Sequence, residues 1–136
     1  MSHNDVAVWL RSQSLELGES SVTMVNLLWF RKQPLYAQGF AGARADARAA
    51  YYEGYAGAFQ AIAAERGVVA ELVHAGRRTA TFGGGSEEDW DDIVLVRYQR
   101  LADLIGMIED PRYLTEAEPH RQAAVAKWRF LATRAG

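Results

Sequence analysis

The sequence predicts an α+β domain of order β-α-β-β-α-β around a four-stranded antiparallel sheet. Three observations carry that prediction. Two segments, 22–30 and 93–98, are apolar at successive positions and suit strands covered on both faces. The alanine-rich stretch 43–66 repeats Ala47, Tyr51, Tyr55, Ala58 and Ile62 at helical steps, and Leu101, Leu104, Ile105 and Ile108 form a second helical stripe. Glycine and proline punctuate the chain between these segments.

Length and composition bound the rest. The 136 residues leave room for one hydrophobic core, and 49% apolar with 24% charged residues is the balance of a globular chain. The absence of cysteine removes disulfides, thiolate metal sites and cysteine nucleophiles. A formal charge of -2, with the basic residues scattered, offers no clustered positive face for nucleic acid. Residues Met1 to Leu17 lack the basic and continuous apolar regions of a secretion signal, so the expectation is a cytoplasmic protein without a membrane segment.

Val6, Trp9, Leu10 and Leu17 fall near helical spacing behind a possible Asn4 cap, so residues 1–20 read as a helical extension to a single domain spanning 21–136. Val22 to Phe30 is the first strand. Arg31 to Gly42, holding Pro34, Gly39 and Gly42, is a loop. Ala43 to Arg66 is the first helix, with Gly67 placed to end it. Val68 to Thr81 reads as the second strand, with Gly76 as its bulge or bend, and Phe82 to Asp92 as a solvated acidic turn. Ile93 to Tyr98 is the third strand and Leu101 to Ile108 the second helix. Asp110-Pro111 and Glu118-Pro119 each open a short helical piece, because proline suits the first helical position. Trp128, Phe130 and Ala132 alternate with Arg129, Leu131 and Thr133 in a last strand, 126–133. Right-handed crossovers in this order place both helices on one face, the ferredoxin-like arrangement. The other face then needs a cover.

The strings Met24-Val25-Asn26-Leu27-Leu28-Trp29-Phe30, Trp90 to Tyr98, Asp110-Pro111-Arg112-Tyr113 and Pro119-His120-Arg121 resemble a bacterial domain-of-unknown-function family of the dimeric α+β barrel superfamily. The resemblance runs from Ser21 to Arg134. It implies two ferredoxin-like sheets packed face to face as a homodimer, and thereby supplies the missing cover. The wider superfamily holds cofactor-independent monooxygenases, lactone isomerases and haem-degrading proteins with a pocket between sheet and helices. The family brings no activity of its own, and fold alone does not assign one.

Six residues stand out as candidate ligand contacts. Asn26, on the Met24/Leu28 face of its strand, either orients a ligand or bonds neighbouring backbone. Arg97 leaves an apolar row, so it either clamps a carboxylate or pairs with Glu71 on the next strand. His74 is a base or a structural histidine beside a bend. His120 and Arg121 follow Pro119 in a first helical turn that favours an anion or simply faces solvent. Tyr55, with Tyr51, Tyr52 and Phe59, walls a pocket for a flat ligand or packs the helix onto the sheet. The acidic turn lacks the spacing of a calcium loop, and Gly83-Gly84-Gly85-Ser86 lacks the lysine of a phosphate loop, so no metal and no cofactor is expected. Two functions follow: a homodimeric domain that binds a small acidic or aromatic metabolite, or a cofactor-independent enzyme of monooxygenase or isomerase type with a histidine base and Arg97 or Asn26 at an oxyanion.

Overall fold

The computed structural model describes residues 6, 8–12, 20–85 and 89–135. Strand β1 is Val22–Phe30, β2 Ala70–Arg77, β3 Asp92–Tyr98 and β4 Val125–Thr133. They form one antiparallel sheet in the order β2-β3-β1-β4, so the two strands with apolar residues on both faces are central, as their sequences require. Helix α1 runs over 47–66, α2 is Leu101–Glu109 and α3 is Glu118–Ala124. The architecture is the predicted ferredoxin-like one. No helix among the described residues is long and apolar enough to cross a membrane.

Alternation along β1 divides its residues between two environments. Val22, Met24, Asn26 and Leu28 are buried toward the helices, while Thr23, Val25, Leu27 and Trp29 are half-buried on the opposite face. Met24 and Met107 are core residues, and the main apolar cluster joins them to Phe59 and Ile62 of α1 and to Leu101, Leu104, Ile105 and Ile108 of α2. Both helices therefore lie on one face. Each such aliphatic or aromatic side chain contributes about 1.5–3 kcal/mol on burial. Val6 and Leu10 join the same cluster, which seats the described part of the N-terminal helix on the domain, whereas Asn4 and Leu17 lie outside the described residues.

Helix α1 starts later than its composition suggests, at Ala47, because the Asp46 side chain caps it by accepting from the Ala49 N–H. It ends at Gly67, whose left-handed φ of 68° lets its N–H close the last turn. Between these ends Ala50–Tyr55 forms a wide π-helical turn, in which the N–H of Ala56 reaches back five residues to the Tyr51 carbonyl. A second wide turn, Tyr113–Ala117, links the helical turn at 111–112 directly to α3. The two short pieces expected after Asp110 and Glu118 are thus one helical run, with Pro119 in the first turn of α3 where its missing N–H costs least.

The second and third strands differ from the sequence reading. Strand β2 ends at Arg77 rather than Thr81. Its irregularity lies between Leu72 and His74, not at Gly76, so Val73 is the extra residue. Gly76 has another use: an added Cβ would lie 2.7 Å from the His74 Nε2, so its bare backbone seats the imidazole. Asp92 is no part of a solvated turn. It opens β3 opposite Leu28 and is 1% exposed.

Gly54, in the first wide turn, is packed against α3. A Cβ there would fall 2.3 Å from the His120 Nδ1. Alanine normally stabilises a helix interior relative to glycine by about 1 kcal/mol. We expect Gly54→Ala instead to destabilise by about 1–3 kcal/mol, the cost of overpacking, read as a lower urea midpoint. A raised midpoint would show that α1 and α3 are not in this contact.

Candidate ligand-binding cavity

Between α1 and the sheet lies a cavity of about 190 Å³. Its floor is the helix-side row of the central strands, Asn26, Val94, Val96 and Tyr98, continued by Trp128 and Phe130 on β4. Its roof is Tyr51, Tyr52, Tyr55 and Phe59, and Tyr113 from the second wide turn closes one side. Tyr51, Tyr52 and Tyr55 all belong to the wide turn and present one face to this space. The bulge in β2 does the same on the far side, turning both Leu72 and Ala75 toward the cavity.

The lining is aromatic and apolar with hydroxyls set into it. Tyr55 and Tyr113 share a hydrogen bond of 3.0 Å between their oxygens. Tyr51 and Tyr98 are each 4% exposed and line the cavity, and among the described residues neither hydroxyl has a hydrogen-bond partner. Burial drives the ionisation of all four upward, with the neighbouring tyrosines adding to the rise for Tyr51, Tyr55 and Tyr98, so they remain protonated donors at neutral pH. Asn26 is already committed: its amide donates to the Val94 carbonyl at 3.3 Å and accepts from the Trp128 indole at 3.1 Å. It fixes the pose of the Trp128 ring.

A buried ion pair stands behind one wall. Arg121 is 5% and Glu118 2% exposed, and they bond to each other along α3. The guanidinium lies 4.3 Å above the Trp128 ring centre and bears on the hydroxyls of Tyr113 and Tyr55. The sequence places His120 and Arg121 in a first helical turn that favours an anion or faces solvent. Packing of α3 against α1 buries them instead.

A second buried pair anchors the other end. Asp92 receives two hydrogen bonds of 2.7 Å from the Arg48 guanidinium and one from the Tyr52 hydroxyl, while Arg48 also covers Phe30. The sequence carried no sign of this: Arg48 and Asp92 are 44 positions apart and were assigned to a plain helix and a solvated turn.

The other candidates lie elsewhere. His120 is buried between Tyr36 and Phe40, its Nδ1 2.6 Å from the Tyr36 hydroxyl, and burial together with the Arg44 charge holds its imidazole below the ordinary value. It does not line the cavity. Arg97 pairs with Glu71 at 2.8 Å on the opposite sheet face, and His74, opposite Leu95, is on that face too. Thus Asn26 and Tyr55 meet in the cavity, Arg121 backs it, and His74, Arg97 and His120 are remote from it. Tyr98, Tyr113 and Trp128 are cavity residues that sequence reasoning missed, because each reads as ordinary strand or helix packing.

The Asp92 anchor predicts an asymmetry. Asp92 is almost fully enclosed while the Arg48 side chain is 34% exposed, so removing Arg48 strands a buried carboxylate, whereas removing the carboxylate frees an arginine that can swing to water. We expect Arg48→Met to cost about 3–5 kcal/mol, Asp92→Asn less, and the double variant to be more stable than Arg48→Met. Equilibrium urea unfolding of the three variants checks the order.

No family model and no curated protein matches this chain. The RPA0582 protein, solved in methylated form, is 27% identical, with a TM-score of 0.78 over 96% of this chain and 90% of that one. A second structure of RPA0582, described as a protein of unknown function from Rhodopseudomonas palustris, is 26% identical with a TM-score of 0.77, covering 96% of this chain and 92% of its own. A dimeric protein of unknown function and ferredoxin-like fold from Bacteroides fragilis NCTC 9343 aligns with a TM-score of 0.51 at 10% identity over 85% of this chain and 96% of that one, a likeness of fold alone. Over nearly its whole length, then, the chain is similar to RPA0582, and its fold is shared with a ferredoxin-like protein of unknown function.

Proposed function

We propose that this chain is a homodimeric small-molecule-binding domain whose ligand occupies the cavity between α1 and the sheet. The observation that carries this reading is the cavity itself: about 190 Å³, walled largely by aromatic rings, with two tyrosine hydroxyls that have no hydrogen-bond partner among the described residues. An apolar space of about 150 Å³ is enough to hold benzene, so this one suits a single substituted ring. A binding role is favoured over a cofactor-independent enzyme because the described residues of the lining include no histidine, carboxylate, lysine or arginine to move a proton at neutral pH.

Leu72 offers a clean test. It lines the cavity from an edge strand and is 60% exposed, so a larger side chain there narrows the space without invading the core. Small substituted benzenes should shift the resonances of Val94, Val96 and Trp128, and Leu72→Trp should weaken that binding at least about tenfold, roughly 1.4 kcal/mol, with the fold intact. Shifts confined to other surfaces would refute the cavity as the site.

Support for a dimer comes from the second sheet face. Val25, Leu27, Ile93 and Leu95 form a half-buried apolar centre there, rimmed by the Arg97–Glu71 pair and by Lys127 and Arg129. An apolar centre inside a charged rim is the anatomy of a protein interface, which takes about 800 Å² from each partner. The Bacteroides fragilis protein of the same fold is described as dimeric. Sedimentation at micromolar concentration should give a dimer, and Leu95→Arg, on the central strand β3, a folded monomer. A monomeric wild-type protein would end this part of the reading.

A further inference from the structure

We infer that the cavity selects a neutral, single-ring molecule carrying an oxygen acceptor, such as an aryl ketone, a phenol or a quinone, and rejects the corresponding carboxylate. The inference rests on the cavity reading above and names the class of its ligand. Two independent features of the lining carry it.

The first is the pair of unpaired hydroxyls. Tyr51 comes from the wide turn of α1 and Tyr98 from the end of β3, so they approach the space from roof and floor, and both residues are 96% buried. A hydrocarbon filling this space would leave both donors without a partner, which is unfavourable for a buried hydroxyl. An oxygen on the ligand satisfies at least one of them. Asn26 is held in a fixed orientation by its bonds to Val94 and Trp128.

The second is the charge distribution. Among the described residues no ionised side chain lines the cavity. Arg121 lies behind Trp128 and is bonded to Glu118, so its charge is already balanced, and it bears on the cavity only through the hydroxyls of Tyr51, Tyr55 and Tyr113. A carboxylate entering here loses its hydration and gains neutral donors, with no guanidinium among the described lining residues to meet it. The site is built for polarity without charge.

Acetophenone, benzoate and isopropylbenzene have the same number of non-hydrogen atoms and nearly the same outline, so they separate polarity from charge and from shape. Calorimetric titration of the full chain at pH 7.5 should find acetophenone binding at least about tenfold more tightly than benzoate, and several-fold more tightly than isopropylbenzene, the scale of one hydrogen bond. In the Tyr51→Phe/Tyr98→Phe double variant, acetophenone should fall to the affinity of isopropylbenzene while isopropylbenzene itself is unchanged. Circular dichroism of that variant checks that the comparison is made on a folded protein, and each single Tyr→Phe variant provides it if the double does not fold. Benzoate binding as tightly as acetophenone, or acetophenone affinity that survives the loss of both hydroxyls, would overturn the ligand class while leaving the cavity as a binding site. Failure of all three compounds to bind would overturn the cavity reading and this inference together.

Discussion

The space between helix and sheet exists because one carboxylate is held where a strand begins. Asp92 lies opposite Leu28 in the sheet, yet its partners Arg48 and Tyr52 both belong to α1. Two charge-assisted bonds with fixed fork geometry set how far the first turn of α1 stands from the sheet. Beyond that point the rings of Tyr51, Tyr55 and Phe59 span the gap without filling it. Asp91 reinforces the same corner, with its side chain accepting from the Phe30 N–H and its backbone N–H donating to the Leu28 carbonyl. The hairpin end of the sheet and the start of the helix are therefore one rigid unit, and the cavity is the room left beside it.

At the opposite end the constraint is also ionic. Glu118 and Arg121 are enclosed by α1 and β4, and the guanidinium is spread over Trp128. Burying such a pair seldom adds stability compared with apolar packing. Its effect here is positional: it sets the Trp128 ring from one side while Asn26 sets it from the other. A cavity wall with two fixed contacts keeps its shape when empty, which lowers the ordering cost that a ligand must overcome.

Much of the fold was legible because it is written in local periodicity. Strand β1 was read to the residue, and the helix ending at Gly67 followed from alanine content and one glycine. Central strands announced themselves by being apolar on both faces, which also pointed to a covered second face. The cavity was only half legible. Tyr51, Tyr52, Tyr55 and Phe59 stood out as surplus aromatic surface on one helix, but their meeting with Tyr98, Tyr113 and Trp128 depends on tertiary placement, and strand aromatics alternate in the same way when they only pack. Charged residues misled for a related reason. Asp92 and Arg121 each look solvated in sequence, and each is buried because its partner arrives from another element or another turn of its own helix. Arg97 was the reverse case, since its pairing with Glu71 follows from strand register alone and register was readable.

The wide helical turns at 50–55 and 113–117 give the cavity an unusual kind of adjustability. Each amounts to an extra residue accommodated within a helix, so the chain on either side keeps its face, and deleting one residue there would restore ordinary winding with the flanking turns still directed as they are. The change would fall on the turn itself, where Tyr51, Tyr52 and Tyr55 stand. Among descendants of such a chain, loss of a single codon within 50–55 would redraw the roof of the cavity while the rest of the helix stayed in place.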